Sequence, residues 1–179
     1  MCTNRFGLLF LVYLSLTAWL YALPDIVFVT QPPHPNDFAT VNATFANHLT
    51  NLEATPRGGD LYIRYADGNL KNITEAAGFG MSGFQGADAI AVRDPAVHWD
   101  GEKILFSMLI GAPTKQYQVN QYYWQLYEVT DFGKDQTPHI SKVDNQPENY
   151  NNVMGTYGTD DRIIFVSDKP AQGLTHTYP

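Results

Sequence analysis

Cysteine is nearly missing from this chain of 179 residues: its one thiol is Cys2, close to the N-terminus. A disulfide within the chain is therefore excluded. So are a CxxCH haem attachment, a cysteine zinc site and an iron–sulfur cluster, which all need several cysteines at close spacing. Runs of basic residues are lacking too. With 11 Lys and Arg against 18 Asp and Glu, the formal net charge is −7, and nucleic-acid binding needs clustered cations to displace counterions. The five histidines, His34, His48, His98, His139 and His176, stand far apart, without the close spacing of a zinc motif. No GxSxG elbow, phosphate loop or dinucleotide fingerprint occurs. What remains is 44% hydrophobic and 13% aromatic, with 14 Gly and 11 Pro: too apolar for a disordered chain, and rich in turns.

From Phe6 to Tyr21 the chain reads FGLLFLVYLSLTAWLY without a charge, behind Arg5 and ahead of Ala22-Leu23-Pro24. A basic start, an apolar centre and a small residue before a helix breaker form a secretory signal. Residues 1–22 are thus expected to be a signal peptide cleaved after Ala22, leaving one folded domain over 25–179. An uncleaved membrane anchor over residues 6–23 is the alternative, because the apolar run approaches the roughly 18 residues of a spanning helix. Either way the rest of the chain lies outside the cytoplasm, periplasmic or secreted, and meets a membrane only if this segment stays uncleaved.

Beyond the leader the pattern is one of short strands. Ile26 to Thr30 is β-branched and aromatic and halts at a proline cluster, Pro32, Pro33 and Pro35. One or two helical turns could form between Asp37 and Arg57. Asp60 to Tyr65 alternates apolar and polar residues and meets Asp67-Gly68, a hairpin signal, with NLKNIT at Asn69 to Thr74 returning as its partner. The Gly-rich stretch Gly78 to Gly86 reads as a mobile connection. Asp100-Gly101 makes a second hairpin before Lys103 to Ser107; Trp124 to Val129 and Arg162 to Ser167 complete the set.

These segments repeat. KILFS at Lys103 and RIIFVS at Arg162 are the same strand, and DIVFVT at Asp25 is a third copy; DLYIRYADGNLKNIT at Asp60 matches QLYEVTDFGKDQTPHIS at Gln125, down to a closing Ile-Thr or Ile-Ser. Self-similarity over several tens of residues with about four short strands per unit predicts an all-β fold of propeller blades. A β-sandwich is the competing architecture, yet has no reason to repeat tyrosine, turn and apolar strand in order.

The motif DPAVHWDGEKILFS resembles the TolB-type propeller repeat, and MGTYGTDDRIIFVS keeps its spacing with Asp161 where that repeat usually has glycine. Together with GGDLY and WQLYEV, these motifs look most like the middle domain of the hydrazine synthase alpha subunit and its relatives, from about Asp25 onward. The resemblance implies an exported partial β-propeller, two blades plus the first strand of a third, in a chain that is a fragment of a longer one. It implies protein partners or the remaining blades as its binding surface. The alternative it implies is a propeller segment of a haem redox enzyme whose haem domains lie elsewhere. No cofactor is expected here, since no cysteine follows Cys2.

No catalytic or metal site is expected. His98, between Val97 and Trp99, reads either as a turn residue bonded to backbone or as a ligand or base. Asp94, Asp100, Asp131, Asp160 and Asp161 each fall where a turn uses Asp to cap its own amides. Among the aromatic residues clustered from Tyr117 to Tyr127, Trp124 and Tyr127 are expected to pack between blades, leaving Tyr117 and Tyr122 as surface binding candidates. Export itself is testable: N-terminal sequencing of the extracytoplasmic product should begin near Leu23, and an intact Met1 chain in the cytosol would refute it.

Overall fold

The computed structural model describes residues 23–32, 55–114 and 120–170. The leader, Tyr117 and nearly all of the stretch read as helical turns fall outside them. Nine strands follow in order: β1 Ile26–Val29, β2 Leu61–Arg64, β3 Leu70–Asn72, β4 Gly86–Val97, β5 Ile104–Ala112, β6 Gln125–Thr130, β7 His139–Lys142, β8 Asn152–Tyr157 and β9 Ile163–Ser167. One helical turn, α1 at Ile73–Ala76, lies between β3 and β4. The strands form three antiparallel sheets in sequence order, β1-β2-β3, β4-β5-β6-β7 and β8-β9. The all-β expectation holds, and among the described residues no helix is long and apolar enough to cross a membrane.

The turns obey their residues. At Asp67-Gly68, glycine takes φ 89° while the Asp67 carboxylate accepts from the Asn69 amide at 3.0 Å. At Asp100-Gly101 the glycine takes φ 76°, and the His98 amide donates across the hairpin to Lys103 O at 2.9 Å. Left-handed φ is sterically free for glycine and tolerable for Asp, whose short polar side chain bonds locally. Asp161 stands in the third sheet's turn where the second sheet's has Gly101, and adopts φ 62°.

Register repeats with the sequence. Phe28 pairs with Tyr62 and Val29 with Leu61; Phe106 pairs with Tyr127 and Ser107 with Leu126. The first strands repeat as well: β4 bulges at Asp94-Pro95 and β8 at Met154-Gly155, each placing two residues opposite one. The leading bulge residues have φ 54° at Asp94 and φ 56° at Met154. So β1, β5 and β9 occupy equivalent places, each followed or preceded by the same partner wherever that partner is described.

Two details of the sequence reading change. The third sheet holds two strands where one was counted, since Asn152–Tyr157 pairs with β9. The closing Ile-Thr and Ile-Ser are not equivalent, because Asn72 sits opposite Tyr62 as Lys142 sits opposite Tyr127. Ile140-Ser141 lies on β7, but Ile73-Thr74 lies past the end of β3. There the Asn72 side chain accepts from the Glu75 amide at 3.1 Å and Thr74 Oγ1 donates to Asp60 Oδ1 at 2.7 Å. An Asn that caps a helical turn ends the strand.

Packing follows from alternation. Leu61, Ile63 and Tyr65 of the first sheet meet Ile90, Val92, Ile104, Phe106, Met108 and Val129 of the second in one core. The opposite face of the second sheet packs Ala91, Leu109 and Trp124 against Val153 of the third. Contact there is close: a Cβ on Gly155 would stand 2.8 Å from Leu105 Cδ2 and 3.0 Å from Leu126 Cδ2. Beyond this layer Met154, Ile164 and Val166 are more than half exposed. Truncating Phe106 to Ala, fully buried between two sheets, should cost about 3–5 kcal/mol in denaturant titration, whereas Val166→Ala should stay within about 0.5 kcal/mol.

Candidate functional site

Like ends of the first two sheets enclose a cleft of about 600 Å³. Its walls come from Asp25 entering β1, Tyr65 leaving β2, the Asp100 to Lys103 turn, the Thr130 to Gly133 segment leaving β6, and Gln136. Because β1 is equivalent to β5 and β2 to β6, this recess lies between matching positions of neighbouring units. Its polar groups are mostly engaged already. The Tyr65 hydroxyl donates to Phe132 O at 2.7 Å, and burial, with Asp25, Asp135 and Asp67 nearby, raises its pKa. The Asp25 carboxylate accepts from the Ala66 amide at 2.7 Å.

Turn-to-turn bonds close the outer end of the same junction. Lys134 of the second sheet binds Asp67 of the first, and Lys71 Nζ donates to Gly133 O at 2.7 Å. The Lys134 hydrogen bond, then the Asn69 amide and side chain, draw the Asp67 carboxyl down to about 2.

At the junction of the second and third sheets lies a denser cluster. His98 is 5% exposed, with Nδ1 2.7 Å from Asp100 Oδ1 and Nε2 3.1 Å from Asp161 Oδ1. Trp99 lies against one side of the ring, centroids 4.1 Å apart, and Tyr157 meets it edge-on at 4.7 Å. Tyr157 in turn donates to Glu128 Oε1 at 2.7 Å and carries Lys103 Nζ 5.3 Å above its ring. Burial, and then that hydrogen bond, push the phenol far above its ordinary pKa of 10.0. Both imidazole nitrogens are occupied by carboxylates, so neither is free to take a proton from a substrate.

His98 sits in the turn, and besides the Asp100 amide 3.4 Å from Nδ1 its ring faces the side chains of Asp100 and Asp161. Asp100 behaves as a cap, accepting from the Glu102 amide at 2.8 Å, as does Asp160 toward Arg162 at 3.3 Å. Asp94 does something the sequence reading missed. Its Oδ2 accepts from Arg93 Nε at 2.8 Å and from the Met154 amide at 3.1 Å, joining the bulge of one unit to the bulge of the next across 60 residues. Only the repeated spacing of Asp94 and Met154 could have signalled it. Asp131 adopts φ 56° and accepts from Thr130 Oγ1 at 3.0 Å. Among the described residues no group of three or more His, Cys, Asp or Glu is placed to hold a metal ion.

Of the aromatic residues, Trp124 is buried at 1% exposure and Tyr127 lies tilted against Phe106, centroids 6.1 Å apart. Tyr122 is half-buried; its ring packs against the second core, touches the space above Gly111 and lies 5.2 Å from the Arg57 guanidinium. Tyr117 falls outside the described residues. Trp99, exposed to 59%, and Phe84, exposed to 66%, are large exposed aromatics that the sequence reading passed over. Compared with models of protein families, with curated proteins and with solved structures, the chain matches none.

The lowered carboxyl of Asp67 makes a pH prediction with a definite sign. A carboxylate pulled from 3.8 to about 2 stabilises the fold above pH 3.8 and loses that contribution as pH falls through about 2. Asp67→Asn should therefore lower the thermal midpoint at neutral pH, and its difference from wild type should vanish in that acid window.

Proposed function

We propose that this chain is part of an exported β-propeller of TolB type, a module that binds or scaffolds protein partners outside the cytoplasm. The observation that carries the reading is the shared register, with Phe28 opposite Tyr62 and Phe106 opposite Tyr127. The bulges at Asp94 and Met154 and the left-handed turn residues Gly101 and Asp161 support it. Repetition of strand pairing, bulge and turn in units that stack face to face supports the propeller reading. Export rests on the uncharged run behind Arg5.

Binding rather than catalysis suits the residues, because both ring nitrogens of the buried His98 already face carboxylates. A surface is available: Ile164 and Val166 are exposed, whereas their counterparts one unit earlier, Leu105 and Ser107, are fully buried. An apolar sheet face of this kind marks an interaction site. Its partner is another protein or the remaining blades. The haem chemistry of the family resembled would belong to other regions, since no cysteine follows Cys2.

A photoreactive side chain at Ile164 should give a discrete crosslinked product in the extracytoplasmic fraction. The same probe at Glu148, whose side chain is 80% exposed between β7 and β8, should give none. Equal crosslinking at both positions, or none at Ile164, would overturn the proposed face.

A further inference from the structure

The imidazole of His98 lies between carboxylates of two different turns, with the Asp100 amide also 3.4 Å from Nδ1. Each nitrogen faces a carboxylate oxygen, Nδ1 that of Asp100 at 2.7 Å and Nε2 that of Asp161 at 3.1 Å. A neutral imidazole has one N–H, so one nitrogen would turn a lone pair toward an anion; only the imidazolium donates to both. Asp100 belongs to the same turn as His98. Asp161 belongs to the equivalent turn of the next sheet, 63 residues further on.

We propose that His98 is a proton-operated tie between successive sheets: charged, it holds the β4–β5 turn to the β8–β9 turn, and neutral, it keeps the nearer Asp100 of its own turn, gives up the exposed Asp161 and loosens the β8–β9 hairpin. The device is local. Elsewhere the third sheet is held by bonds without a proton to lose near neutrality, from the Asn152 amide to Trp124 O at 2.8 Å and from the Met154 amide to Asp94 at 3.1 Å.

The charges around the ring set the direction. From its own hairpin come Asp100 and Lys103, from the β8–β9 turn Asp161, from β8 the Tyr157 phenol, and behind that phenol Glu128 of β6. Burial acts against the charged ring, and Lys103 adds to it; the hydrogen bonds from Asp100 and Asp161 outweigh both and raise the pKa of His98. Asp100 is lowered in turn, first by the Glu102 amide and then by His98. Since the folded value is raised, the tie is complete below the ordinary 6.5 and is lost as pH rises through the folded value.

Two exchange measurements by mass spectrometry on the full chain test this. Deuterium exchange at the imidazole C–H titrates each histidine separately, and amide exchange reports opening of the peptide spanning Gly158 to Arg162, referenced at each pH to the same peptide unfolded. His98 should titrate above 6.5, and protection of the hairpin should fall as pH rises through its midpoint. In Asp161→Asn, whose side chain is 66% exposed in the wild type and whose loss leaves the core intact, the His98 midpoint should drop and the pH step in protection should vanish. His98→Gln should show no step at any pH. A His98 midpoint at or below 6.5, hairpin protection independent of pH, or an unchanged step in Asp161→Asn would each overturn the proposal.

Discussion

Strand β5 cannot exist alone. From Ile104 to Leu109 every residue is buried, on both faces of its sheet, so the second sheet must be covered on each side by another. Burying such a strand stabilises the fold by roughly 1.5–3 kcal/mol for each large apolar side chain. Coverage comes from the first sheet through Leu61 and Ile63, and from the third through Val153 and the bare backbone of Gly155. Because the units repeat, the same demand passes outward to Ile164 and Val166, which the described residues leave uncovered.

Apolar layers alone do not define how one sheet sits on the next, because dispersion and area burial have little direction. Direction comes from polar ties at the turns and bulges. Lys134 on Asp67 and Tyr65 on Phe132 O join the first sheet to the second. Asp94 on the Met154 amide, and His98 on Asp161, join the second to the third. Each tie joins like turns or bulges of neighbouring units, at different places and with different chemistry in the two junctions. The first junction is held by a lysine, charged at any physiological pH, and the second by an imidazole whose pKa, against burial, its two carboxylates raise above the ordinary value.

Local chemistry made much of the fold legible. Asp-Gly turns, β-branched strands and the recurrence of Ile-x-Phe located most strands and their equivalence, since period-2 burial and left-handed turns are imposed by nearest neighbours. The strand end at Asn72 was misplaced because Asn-Ile-Thr has strand propensity, and only the bond from the Glu75 amide to the Asn72 side chain shows that it caps a helical turn. The candidate sites were less legible. Tyr122 read as a surface aromatic because it flanks a loop, but its half-buried place depends on Gly111 and Arg57, both distant in sequence.

The lack of a CxxCH motif, the turn-rich all-β character and the repeat are legible in the residues alone, because each is a property of residue type at short spacing. Tertiary structure decided what the repeated residues do. Asp94 and Asp161 each read as caps of their own turns. In the fold, Asp94 bonds a backbone amide 60 residues away and Asp161 a histidine 63 residues away. Whether a carboxylate serves its own turn or a neighbouring one depends on how closely two sheets stack, which is a matter of packing between faces that no local window of residues contains.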